Sequence, residues 1–246
     1  MAVIYSDQDK YLRKHIFSEK VASLYWISAL IIVLIGSWKF LYNRELSVTS
    51  AFYFICFFVF PVAGLLYFFK KTDTKVLKYQ SGLRGQSNVV NLLRLHLPDS
   101  YSVFAGLQLP FMRGDIDCVV IGQNGVFVIE VKNIRGVVSV QDEKLLIGGK
   151  ENTYKNFLNQ SFASGRAIQQ YLNKRLKQQF QVVPILVFSH PQSYVNLGFR
   201  KYKGVHVMHI SSLVKFIKTN KGTTVIDPFK VQLELTRAVG EENIIN

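Results

Sequence analysis

A chain of 246 residues that is 49% hydrophobic and carries a formal net charge of +14 cannot be one soluble core throughout, because two long uncharged stretches lie near its start. Its only two cysteines, Cys56 and Cys118, fall in an apolar helix-like stretch and an apolar strand-like one. This excludes a disulfide framework and a cysteine-ligated metal, and fits a reducing compartment.

In chain order, residues 1–20 form an N-terminal segment, and residues 21–38 and 47–69 are the two apolar stretches, neither holding Asp, Glu, Lys or Arg. Roughly 20 residues at about 1.5 Å rise match a hydrocarbon core of about 30 Å. Runs such as "LIIVLIG" and "FYFICFFVF" have no polar face, which favours membrane spans over buried soluble helices. The first stretch is long for a signal core and ends in "GSWKF" without a small-residue cleavage site. Lys10, Arg13, Lys14 and Lys20 precede the first stretch, and Lys70, Lys71, Lys75 and Lys78 follow the second, while the loop between them holds only Lys39 and Arg44. Basic flanks stay on the cytoplasmic side. The expectation is a two-helix hairpin in the cell membrane over residues 21–69, with both termini cytoplasmic, a basic linker over 70–79 and a cytoplasmic domain over 80–246.

That domain alternates between helical and strand periodicity. A helix is expected over residues 86–97, with Val89, Val90, Leu92, Leu93 and Leu97 apolar and Pro98 as its stop. Strands are expected in "YSVFAGLQL", "DIDCVVIG" and "VFVIEVKN", followed by a weakly patterned connection. A long helix is expected over 156–180, with Leu158, Phe162, Ile168, Leu172 and Leu176 inward. "VVPILVF" and "GVHVMHI" read as further strands, and residues 212–218 and 227–238 as short helices. The order predicts a single α/β domain. From Lys70 onward there are 24 Lys and Arg against 12 Asp and Glu, a surplus that attracts nucleic acid or an anionic membrane surface.

The stretch "DIDCVVIGQNGVFVIEVKN" (115–133) puts charges at the outer ends of two otherwise apolar strands. A two-residue turn at Asn124-Gly125 pairs residues whose numbers sum to 249 and sets Asp117 against Lys132, with Glu130 diagonal. A turn from Gly122 to Gly125 shifts the sum to 247 without changing the faces. Either way Asp117, Glu130 and Lys132 share one face. Two carboxylates and an ammonium there suit a hard divalent cation, Mg2+ or Mn2+, beside a lysine that positions water or meets developing charge. A cross-strand salt bridge on a solvated face is the competing reading. His206 and His209 point to opposite faces of a strand and suit core or surface roles better than metal binding.

The stretch "GDIDCVVIGQNGVFVIEVKN", with "SGLRGQSNVVNLLRLHLP" before it and "KNFLNQSFASGRAIQQYL" and "VVPILVFSHP" after it, resembles the nuclease-related domain (NERD) of the PD-(D/E)xK, restriction-endonuclease-like superfamily. The resemblance implies a mixed sheet flanked by helices and a metal-dependent nuclease, endonuclease or exonuclease. It implies that Asp117 and Glu130 hold the metal and that Lys132 and Gln160 complete the catalytic set. The family usually has a glutamate after the glycine of its first helix, whereas Gln86 follows Gly85 here, so Gln86 and Asp115 are accessory candidates. Arg166, Lys174, Arg175 and Lys177 on the long helix are candidate nucleic-acid contacts, and Arg200, Lys201 and Lys203 form a second basic cluster. The implied substrate is DNA at the cytoplasmic face, with RNA left open, and defence or DNA processing as the setting. The alternatives are a membrane-tethered nucleic-acid-binding protein with a decayed site, and a scaffold gripping anionic lipid or a protein partner. Strandedness, base preference and oligomeric state have no signature in these motifs.

Overall fold

The computed structural model describes residues 3–6, 27–28, 31–32, 35, 42, 60–112, 114–151, 156–220 and 227–245. The chain divides into two units, Met1–Gln8 with Ser81–Asn246, and Asp9–Gln80. The expected span 21–38 and the part of 47–69 before Phe60 lie outside the described residues, except for Ile27, Ser28, Ile31, Ile32 and Ile35, which are helical and exposed. Among the described residues no helix is long and apolar enough to cross a membrane.

A strand at the very start, β1 (Val3–Ser6), is followed by a 37-residue helix, α1 (Phe60–His96). The helix therefore continues through residues 70–79, where the sequence suggests a linker. It stops at Leu97, whose N–H still bonds the Leu93 carbonyl at 2.9 Å, because Pro98 has no N–H to extend it. Next come β2 (Ser102–Gln108), β3 (Asp115–Gly122) and β4 (Gly125–Lys132). The weakly patterned connection contains three strands, β5 (Gly136–Gln141), β6 (Lys144–Ile147) and β7 (Lys150–Glu151). The long helix is α2 (Phe157–Leu176), N-capped by the Asn156 side chain on the Asn159 N–H and closed by Lys177 in the left-handed region. After it come β8 (Val182–Phe188), β9 (Ser193–Val195), β10 (Lys201–Tyr202), β11 (Val205–His209), α3 (Ile210–Thr219) and α4 (Pro228–Ile245).

A seven-stranded mixed sheet has the order β1-β2-β3-β4-β8-β11-β10, and a four-stranded sheet the order β7-β6-β5-β9. Alternation along β4 explains the layering. Phe127, Ile129 and Val131 pack with Val89, Leu93, Leu213 and Phe216 of α1 and α3. Val126 and Val128 pack with Ile168, Leu172, Val231 and Leu235 of α2 and α4. The smaller sheet joins that second face through Val138, beside Phe157, Leu158 and Phe188. Pro184 sits inside the central strand β8, one residue before its ladder with β11 begins at Ile185.

The β3–β4 register differs from the sum of 249. Gly122 pairs with Gly125 and Cys118 with Ile129, so the sum is 247 and Asp117 lies opposite Glu130. The reason is outside the hairpin. Asn124 accepts from the Tyr101 hydroxyl at 3.0 Å and donates to the main-chain oxygens of Ile217 and of Asn220, the latter at 2.9 Å. A Cβ on Gly122 would collide with the Tyr101 ring. Asn124 is thus anchored to the end of α3, which leaves Gln123 and Asn124 as the turn and hands the positive φ of 146° to Gly125.

Candidate active site

β4, β8 and β11 run parallel with Lys132, Phe188 and His209 in line at their C-terminal ends, and the antiparallel β3 brings its first residues to the same edge. Ligands of α/β sheets gather at such an edge. Three of the four expected catalytic side chains come from β3 and β4, and the fourth from the first turn of α2.

Asp117 is held at two points. Its Oδ2 accepts from the Val131 N–H at 2.7 Å, and its main-chain oxygen accepts from Gln86 Nε2 at 2.8 Å. Glu130 is buried, with only 3% of its side chain exposed, and its Oε1 lies 2.5 Å from Lys132 Nζ. That ammonium also donates to Gln160 Oε1 at 3.3 Å and stands 4.9 Å from the Phe157 ring centroid, a favourable cation–π placement. Asp117, Glu130, Lys132 and Gln160 therefore converge. Burial, then the Glu130 charge, pushes the Asp117 carboxyl up to about 7, while the Val131 N–H and Lys132 pull it down and Asp115 adds a smaller upward push. Asp115 opens β3 and is exposed.

Two crowded carboxylates with one lysine between them and Gln160 fit a hard cation that takes a pair of carboxylates and completes its shell with water, as Mg2+ or Mn2+ does. Among the described residues no three His, Cys, Asp or Glu side chains gather as a metal cage, and the carboxylates placed to hold such an ion are those of Asp117 and Glu130.

The expected nucleic-acid residues separate. Arg166 is exposed beside Phe162, whereas Arg175 lies 3.8 Å from Glu234 and 3.4 Å from the Tyr171 hydroxyl. Lys174, Arg175 and Lys177 lie 14 to 17 residues past Gln160, roughly 20 to 25 Å along the helix axis. Phe162, expected inward, is 39% exposed. His206 is buried, bonding the Phe199 carbonyl at 2.9 Å and facing Phe216, and His209 caps α3.

Sequence reasoning missed how α1 is joined to this edge. Asn133 donates to the Ser81 carbonyl at 2.7 Å, and Gly85 is packed so closely that a Cβ would lie 2.6 Å from both Asn133 Cβ and Ser189 Oγ. The Gly85-Gln86 pair was the available signal: one residue lets the helix approach and the next spans the gap to Asp117.

No curated protein matches the chain. The small subunit of the heterodimeric restriction endonuclease R.BspD6I, known from a crystal structure, aligns with 63% of this chain and 77% of its own at 14% identity and a TM-score of 0.27. Residues 81–189, which hold Asp117, Glu130, Lys132 and Gln160, match the family model described as the nuclease-related domain, NERD.

Proposed function

We propose that the chain is a membrane-anchored, divalent-metal-dependent nuclease that hydrolyses DNA phosphodiester bonds at the cytoplasmic face. The convergence of Asp117, Glu130, Lys132 and Gln160 on one sheet edge, inside the stretch that matches a nuclease-related domain, carries the reading. Mg2+ or Mn2+ held by Asp117 and Glu130 would acidify a bound water and offset charge on the phosphodiester. Lys132 supplies the mobile positive charge: its ammonium, paired with Glu130, can turn to a phosphoryl oxygen as negative charge builds there. Gln160 and the Phe157 ring keep that ammonium at the edge. The +12 surplus from Lys70 onward, 24 basic against 12 acidic residues, would draw the polyanion in.

The uncharged stretches 21–38 and 47–69 support anchoring, as does the exposure of Ile31, Ile32 and Ile35, at 50%, 71% and 64%. Parallel pairing of Val3–Ser6 with Ser102–Ala105 supports the two ends of the segment between them lying in one compartment. That supports an even number of crossings, and the basic flanks favour the cytoplasm.

The test is cleavage of single- and double-stranded DNA by the full-length chain with Mg2+, Mn2+ or chelator, alongside Lys132→Ala and Glu130→Ala. Metal-dependent cutting lost in both variants is expected. One observation favours a second reading, a tethered nucleic-acid-binding protein: Gln86 gives its amide to the Asp117 carbonyl and brings no carboxylate. Intact DNA under every metal, with salt-sensitive binding retained by Lys132→Ala, would establish that instead.

A further inference from the structure

Between Glu151 and Asp227 the chain contains no Asp or Glu and a long series of Lys and Arg. Folding sorts these cations into groups. At the C-terminal end of α2, Arg175 is taken up by Glu234 and Tyr171. Arg166 lies instead beside Phe162, the residue that reaches the β10–β11 hairpin. Its guanidinium lies 6.0 Å from the Phe162 ring centroid, and that ring abuts Gly204, where a Cβ would be 3.0 Å from the nearest ring carbon.

Lys203 and Gly204 form the hairpin turn, with φ of 49° and 79°. Turns of this kind favour Asn, Asp or Gly, and a lysine in the left-handed region costs on the order of 1 kcal/mol. A cation therefore stands at the tip where turn geometry asks for another residue. Arg200 and Lys201 lead into the turn, and Arg166, Arg200, Lys201 and Lys203 are all exposed. None of the four has an acidic partner among the described residues. Phe162 adds exposed aromatic surface in their midst. Arg166 is six residues past Gln160, about 9 Å along the helix axis.

We propose that Arg166, beside Phe162, and the β10–β11 hairpin with Arg200, Lys201 and Lys203 form a second contact for the phosphate backbone of a nucleic-acid strand. The strand leaves the active site across this hairpin and not along the C-terminal turns of α2. This rests on the nucleic-acid reading of the site, but not on its being catalytic.

The experiment measures binding of a labelled single strand and a labelled duplex to the full-length chain by fluorescence anisotropy across a salt series. The hairpin variant combines Arg166→Gln, Lys201→Gln and Lys203→Asn, the last chosen because Asn tolerates positive φ. A control combines Lys174→Gln with Lys177→Asn, and Lys201→Arg keeps the charge. Circular dichroism melts establish that each variant is folded. For the duplex, the hairpin variant is expected to flatten the slope of log K against log salt by roughly 2 to 3 units, at about 0.9 for each phosphate left without its cation. The control and Lys201→Arg are expected to keep the wild-type slope. An unchanged hairpin variant, an equal flattening in the control, or no nucleic-acid binding by the wild type would overturn the proposal. So would a hairpin variant that loses only its binding to phosphatidylserine vesicles, since the cluster would then serve a membrane. Weakened binding in the hairpin variant with no cleavage by the wild type would sustain this second site and sink the nuclease reading.

Discussion

Asp117 is the residue on which most of the site depends, because Val131 fixes its side chain and Gln86 its main chain. Its carboxyl stands at about 7 against an ordinary 3.8. A folded chain with such an acid binds more protons than the unfolded one between those values. The stability it contributes is therefore full below about pH 3.8 and is lost as pH rises to about 7. In chelator, thermal melts are expected to fall across that window, and Asp117→Asn is expected to flatten the slope. Adding Mg2+ is expected to raise Tm most above about pH 7, where the cation no longer competes with a proton, and not to do so in Asp117→Asn. Gly85 offers a second residue-scale test. Gly85→Ala drives a methyl into Asn133 and Ser189 and is expected to cost about 1–3 kcal/mol in urea unfolding. Because Asn133 Cβ remains in place, adding Ser189→Ala is expected to recover only part of that stability.

At the scale of elements, the β3–β4 hairpin is registered by a residue that bonds outside it. Asn124 offers a favoured Asn-Gly turn, but its side chain serves Tyr101, Ile217 and Asn220, and tertiary bonding overrides local turn preference. Asn124→Ala strands one hydroxyl and two carbonyls, and is expected to cost about 1–3 kcal/mol, read as a lower denaturation midpoint with unchanged m-value. The carboxylate–lysine face survives such a change, since both registers share parity. The strands β5 and β6 are hard to read in the sequence for a related reason. Their turn at Asp142-Glu143 has φ of 48° and 57°, a conformation that Asp142 tolerates but Glu143 does not advertise as Gly or Asn would. Helical spacing alone points Phe162 inward, but the buried face of α2 runs through Leu158, Ser161, Gly165, Ile168 and Leu172, which leaves Phe162 at its margin beside Gly204.

For the whole molecule, the seven-stranded sheet is completed from the far end of the chain. The four-residue β1 takes the place of the seven-residue β2 as the edge of the sheet, and a longer uncovered edge invites pairing with another chain. Deleting Met1–Gln8 is expected to lower Tm and to produce concentration-dependent association by analytical ultracentrifugation, with the full chain showing neither change. A soluble fragment that starts after the Asp9–Gln80 unit omits β1, which is why activity and binding belong to tests on the full-length chain.

The sequence by itself determined the α/β pattern, the apolar segments, the charge surplus and the face shared by Asp117, Glu130 and Lys132. Each follows from a local period: two residues for a strand, about 3.6 for a helix, and parity for a hairpin. Only the tertiary structure decided that Asp117 opposes Glu130, that Gln86 reaches Asp117, that Arg175 pairs with Glu234 while Arg166 lies beside Phe162, and that residues 3–6 close the main sheet. These are contacts between elements distant in sequence, made where a missing Cβ, a buried charge or an open sheet edge finds its partner. No local period encodes them.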